Sequence, residues 1–162
     1  MTTRNTQPFE KKNSQHHLAR PTNRLIVLLD TSFLLVMLEQ NRDIDEEVRD
    51  LIHGPVQIST LDFVERELQH IGRTRASKIG GLANAALDLL KKRKYEIFES
   101  CFETSDTDAG IISFSLAKKQ PVAVATIDRK LRASLGRLGV SVISPRRQRG
   151  LVMTMGSRPS ST

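Results

Sequence analysis

The sequence predicts an α/β fold, a central parallel sheet of four to five strands with helices on both faces. Three observations carry that reading. Short dense apolar runs at 25–29, 56–58, 95–98, 121–125 and 140–143 are separated by segments with helical spacing. Two of them, Leu25-Ile26-Val27-Leu28-Leu29 and Val122-Ala123-Val124-Ala125, carry no polar residue on either face, as neighbouring central strands covered by helices on both sides must. The 162 residues make room for one ordinary domain with its own core.

The elements follow in order. The run at 25–29 is the first strand, and a helix over Ser32–Leu38 follows it, then a second over Ile44–Ile52. After the strand at 56–58, a helix over Leu61–Ile71 places Leu61, Val64, Leu68 and Ile71 on one buried face. A long helix over Arg75–Lys92 is expected to break at Gly80-Gly81, because glycine costs about 1 kcal/mol relative to alanine in a helix interior. The strand at 95–98, a helix over Ala109–Lys118, the strand at 121–125, a helix over Arg129–Leu138 and the strand at 140–143 complete the domain. Its span is read as 24–152, between disordered tails at 1–23 and 153–162, which are polar and lack apolar periodicity.

Charge is distributed unevenly. The chain has 25 Lys and Arg against 18 Asp and Glu, a net +7. Residues 1–23 hold four basic residues and one acidic, residues 146–162 hold four basic and none acidic, and 24–145 is therefore balanced at 17 of each. The basic pI does not by itself point to a polyanion; local clusters must. A single cysteine, Cys101, excludes an internal disulfide, and the N-terminal residues lack the apolar segment of a secretory leader, so a cytoplasmic protein is expected. The longest apolar stretch, 25–38, is interrupted by Asp30 and falls short of the ~20 residues a bilayer requires.

Chemistry is expected where the strands end. Asp30 directly follows the first buried run, and Asp128 follows the second after Thr126-Ile127, which puts both at carboxyl ends, the edge where open α/β sheets bind ligands. Each could equally cap a helix, as could Asp108 or Asp106 before the helix that starts at Ala109. Glu67 is harder to explain as surface. With Phe63 and Val64 behind it and Ile71 ahead, it interrupts an apolar stripe and is expected half-buried, costing several kcal/mol unless paired or bound to a cation. A salt bridge to an arginine is the plainer alternative. Four carboxylates in one cleft would raise one another's pKa unless a cation joined them. An all-oxygen set suits Mg²⁺ or Mn²⁺, while zinc would call for His or Cys, and the adjacent pair His16-His17 lies in the tail. Such a cation leaves room for phosphate, which points to phosphodiester chemistry.

These residues resemble the PIN-domain nuclease superfamily. The matching pieces are Leu28-Leu29-Asp30-Thr31-Ser32-Phe33-Leu34-Leu35, Val64-Glu65-Arg66-Glu67-Leu68, Asp106-Thr107-Asp108-Ala109-Gly110-Ile111 and Ala125-Thr126-Ile127-Asp128-Arg129-Lys130-Leu131, within about Arg24 to Val152. The last piece, with the strand and basic stretch after it, looks most like archaeal relatives of the PIN nucleases that process small-subunit ribosomal RNA. The resemblance implies a three-layer fold and four acids around Mg²⁺ or Mn²⁺ that cut single-stranded RNA. It puts Asp30 and Asp128 on the metal, with Glu67 and Asp108 binding it directly or through water. Glu65 and Asp106 compete with Glu67 and Asp108 as alternates. Ser32 stands where the family often has Asn; its hydroxyl and that of Thr126 would orient a carboxylate or water.

The implied reaction is metal-assisted hydrolysis leaving 5′-phosphate and 3′-hydroxyl ends. Basic residues must bring the polyanion to an acidic cleft. Arg73, Arg75, Lys78, Lys91, Lys92, Arg93 and Lys94 form the densest basic segment, read as one phosphate-binding face. Arg129, Lys130 and Arg132 flank Asp128, and Arg146, Arg147 and Arg149 extend the field. With no Trp, one Tyr and six Phe, base stacking on aromatics is scarce and base-specific readout is not expected. The expected partner is RNA, a ribosomal RNA precursor first, with ribosome-assembly proteins, an antitoxin or a second copy of the chain as protein partners. Two rival readings keep the fold: a VapC-type toxin ribonuclease of a toxin–antitoxin pair, and a non-catalytic RNA-binding assembly factor whose acids only cap helices. A haloacid-dehalogenase-type phosphohydrolase is excluded because Ser32 occupies the place of its second Asp.

Overall fold

The computed structural model describes residues 24–74, 76–100 and 106–157. At its centre β1 (Leu25–Leu29) pairs in parallel with β4 (Val122–Ala125) on one side and with β2 (Val56–Leu61) on the other. Ile26 through Leu29 and Ala123 through Ala125 are at most 1% exposed, which is why these strands tolerate no polar residue. β3 (Glu96–Phe98) extends the sheet beyond β2, and β5 (Ser141–Pro145) beyond β4, all parallel.

A sixth strand was not expected. β6 (Leu151–Thr154) pairs antiparallel with β5 and closes the order β3-β2-β1-β4-β5-β6. It runs two residues past the expected domain end at 152, with Met153 and Thr154 paired to Ile143 and Val142. The strand is legible only through its partner. It has four residues, just one of them buried, and follows a turn at Gly150 whose φ of 87° favours glycine. The expected tail at 1–23, and residues 158–162, lie outside the described residues.

The chain turns back from each of the first four strands through helices: α1 (Thr31–Glu39) and α2 (Ile44–Leu51) after β1, α3 (Asp62–Thr74) and α4 (Lys78–Arg93) after β2, α5 (Thr107–Ala117) after β3 and α6 (Arg129–Arg137) after β4. α1 buries Phe33, Leu34 and Met37 completely, so its apolar run is a core helix. α4 is unbroken at Gly80-Gly81; Ser77 starts it, and burial of Gly80, Ala83, Ala86 and Leu90 outweighs the glycine cost. α3 and α4 approach so closely that a Cβ at Gly72 would stand 2.3 Å from Asn84 Oδ1. Among the described residues no helix is long and apolar enough to cross a membrane.

Strand order reverses between β1 and β4: the chain builds outward to β2 and β3, then returns to the other side of β1. A crevice opens at the carboxyl ends of the two strands at such a switch point. Asp30 and Asp128 stand there.

Candidate active site

Asp30 leaves β1 in extended conformation and caps α1, its Oδ1 accepting the Thr31 N–H at 2.8 Å. Its Oδ2 accepts two hydroxyls, Ser32 Oγ at 2.7 Å and Thr126 Oγ1 at 2.8 Å. Only 7% exposed, the carboxylate is fixed by three donors at the junction of β1 and β4. Thr126 also accepts the Asp128 N–H at 3.1 Å, and Ser32 Oγ accepts the Ile127 N–H at 3.3 Å. The two hydroxyls, 3.2 Å apart, thereby tie the turn after β4 to the start of α1.

Asp128 caps α6 through Oδ1, which accepts Lys130 N–H at 2.7 Å and Leu131 N–H at 2.9 Å. Capping and site formation are therefore compatible readings of one residue. α5 is capped by Asp106, leaving Asp108 in the first turn. α3 supplies Glu67, whose Oε2 accepts the Thr31 hydroxyl at 2.6 Å.

These four acids line one cleft of about 680 Å³, floored in part by Leu35 and Ile71. Burial, then the negative charges of Asp128, Asp30, Asp106 and Glu67, hold the Asp108 carboxyl above the usual carboxylate range. One carboxyl thus senses all three partners expected of it. Glu65 and Asp106 do not line the cleft. Glu67, expected half-buried, is instead exposed at the cleft mouth, because the stripe it interrupts ends at an open crevice. No three Asp, Glu, His or Cys side chains among the described residues stand close enough together, as oriented, to hold a metal ion between them. The four acids nevertheless form an all-oxygen set, open on one side and with Asp108 repelled by the other three, which fits a hard divalent cation bound partly through water.

Sequence reading missed Thr31, His70 and Thr74, all lining the cleft. The last two were findable, since they stand three and seven residues after Glu67 on the same helical face. The basic segment, by contrast, does not form one face. Lys78 pairs with Glu39 at 2.6 Å beside the cleft residue Ile79, whereas Lys91 to Lys94 stand at the other end of α4, roughly 24 Å along a helix of this length. Arg93 is held there by Asp43 at 3.1 Å and Asp45 at 3.3 Å. Arg73 is exposed on α3, and Arg75 lies outside the described residues. Arg129 and Lys130 are exposed, and Arg132 partly exposed, on α6 directly after Asp128.

A mostly parallel switch-point sheet with acids converging from β1, α3, α5 and α6 defines a PIN-like domain, and the chain belongs to that family: the model for the PIN-like domain matches residues 27–149. Among solved structures the fold is similar to the PIN domain endonuclease Utp24, with a TM-score of 0.65 and 21% identity over 80% of this chain and 90% of that one. No curated protein matches the chain significantly.

Proposed function

We propose that this chain is a divalent-metal-dependent endoribonuclease that hydrolyses phosphodiester bonds in RNA, with a ribosomal RNA precursor as its substrate. The observation that carries the reading is the meeting of Asp30, Glu67, Asp108 and Asp128 on a single open cleft, where burial and the other three hold the Asp108 carboxyl above its ordinary range. Three helix caps in separate places would not repel one another; carboxylates grouped for a cation do.

Asp30 and Asp128 would hold Mg²⁺ or Mn²⁺, with Glu67 and Asp108 reaching it directly or through water. When bound, such an ion supplies a water of lowered pKa and offsets phosphate charge. The protein's own groups do the positioning. Ser32 and Thr126 fix the Asp30 carboxylate, Thr31 fixes Glu67, and the cap of α6 fixes Asp128. Arg129, Lys130 and the partly exposed Arg132 would draw the polyanion to the acidic cleft. The apolar side chains of Leu35, Ile71 and Ile79 would shield the reacting phosphate from bulk water.

The test is incubation of a structured ribosomal RNA precursor with Mn²⁺ and either the wild-type chain or Asp128→Asn. Asn is as good a cap as Asp, so the variant keeps α6. A defined cut with 5′-phosphate and 3′-hydroxyl ends is expected from the wild type only, and chelation should abolish it. Equal cleavage by the variant, or none by either, overturns the reading.

A further inference from the structure

A second groove, of about 410 Å³, lies between α6 and β6 and shares a helix with the acidic cleft. Asp128 lines the cleft and caps α6; the next residue, Arg129, lines the groove. Arg132 stands one turn further along the same face, and residues so spaced have Cβ atoms about 5–6 Å apart. Among the described residues neither guanidinium is ion-paired. Behind them the lining changes character. Ala133 and Gly136 present no bulk, and a Cβ at Gly136 would meet nothing within 4 Å. Val142 forms the floor, and Met155, 70% exposed, is the far wall.

We propose that this groove binds the single strand of RNA that flanks the scissile phosphate, with Arg129 and Arg132 on successive phosphates and one base laid against Met155 over Ala133 and Gly136. The identity of the strand rests on the nuclease reading; the groove's affinity for single-stranded nucleic acid does not. Two arguments select this occupant. Unpaired guanidiniums on one rim complement phosphates, which they bind through parallel N–H donors. The groove also begins at the residue after a cleft acid, so it is the next surface that a strand leaving the cleft along α6 reaches. In a chain with 4% aromatic residues and no Trp, a polarisable thioether offers the π-face of a base a partner that stacking residues usually provide. Apolar walls make that contact tolerant of base identity.

The test is fluorescence anisotropy of a labelled single-stranded oligouridine with the full chain in EDTA, so that binding is read without cleavage, across a salt series. Arg129→Gln/Arg132→Gln should flatten the plot of log affinity against log salt by about 1.4, two phosphate contacts' worth for a single strand. Met155→Ala should weaken binding about two- to tenfold with the slope unchanged. Gly136→Leu, at a position where an added Cβ meets nothing within 4 Å, should weaken it likewise by projecting a side chain into the groove. Circular dichroism confirms the fold of each variant. An unchanged slope in the double variant, or wild-type affinity in both groove variants, overturns the proposal. A chain that binds through the groove yet cuts no RNA with Mn²⁺ sinks the nuclease reading alone; one that cuts RNA with no groove dependence sinks this one alone.

Discussion

Thr126 donates its hydroxyl hydrogen to Asp30 Oδ2 at 2.8 Å while accepting the Asp128 N–H at 3.1 Å. A single buried hydroxyl between β4 and α6 therefore sets the relation of two cleft acids that are 98 positions apart in the chain. Nothing in the immediate sequence of either acid specifies that distance; the pairing of β1 with β4 and this hydroxyl do.

Thr126→Val keeps the shape of the side chain and removes both hydrogen bonds. Because Thr126 is fully buried, Asp30 and the Asp128 amide lose a partner that water cannot replace, at a cost of about 1–3 kcal/mol. A lower urea midpoint with an unchanged slope is expected, together with cleavage reduced about 10- to 100-fold, as when a group that orients a metal ligand is lost. Thr126→Ser should recover most of both. A Thr126→Val chain as stable as wild type would show that the hydroxyl is incidental.

Gly110 sets the opposite wall. It is buried on α5 where a Cβ would stand 2.6 Å from Phe63 Cε1 on α3, so only glycine lets the helices carrying Asp108 and Glu67 come this close. Gly110→Ala should destabilise the fold by about 1–3 kcal/mol through overpacking and reduce cleavage by moving Asp108 outward. Phe63→Leu combined with Gly110→Ala should recover part of the lost stability, measured as a departure from additivity in denaturant unfolding. Additive losses would mean that the two residues do not limit the helix approach.

What was legible in the sequence follows from where the information is local. β1 and β4 were readable because burial on both faces requires uninterrupted apolar runs, and Asp30 and Asp128 because polar residues ending such runs stand out. Glu67 was found from its helical spacing, although it proved exposed at the cleft mouth instead of half-buried. β6 was not readable, since its pairing with β5 depends on the turn at Gly150 and on a partner strand rather than on its own pattern. The basic residues of α4 misled for the same reason. Proximity in sequence does not bring together the two ends of a 16-residue helix, and Lys78 and Arg93 already have carboxylate partners.

The hairpin of β5 and β6 is fastened by a buried ion pair that no local pattern marks. Arg42, in the turn between α1 and α2, donates from Nε to Glu47 Oε1 at 2.8 Å, makes a second contact to Oε2, and donates to the Gly150 carbonyl at 2.8 Å. Both side chains are under 10% exposed. Arg42→Ala leaves Glu47 buried without its countercharge and should cost about 3–5 kcal/mol in urea unfolding. Arg42→Ala/Glu47→Ala should cost less than Arg42→Ala alone. A double variant that is worse than either single one would contradict the view that the stranded charge, rather than lost packing, dominates.

Asp108 links stability to pH and to cations. Burial, followed by the charges of Asp128, Asp30, Asp106 and Glu67, raises its carboxyl above the ordinary value of 3.8, even though the first turn of α5 ordinarily favours a negative charge. A carboxyl raised in the folded state contributes stability that is complete below its unfolded pKa and disappears as pH climbs through the folded one. The metal-free chain at neutral pH therefore carries an ionised Asp108 at a cost. Asp108→Asn should melt at a higher temperature than wild type in EDTA at pH 7, and the gap should close as pH falls toward 4. Mn²⁺ at a hundredfold excess over its dissociation constant should stabilise the wild type by about 2.7 kcal/mol at pH 7, and the variant by less at the same Mn²⁺ concentration. If Asp108→Asn melts lower than wild type in EDTA at pH 7, the carboxylate is being stabilised by its surroundings, and the repulsion on which the cation argument rests is absent.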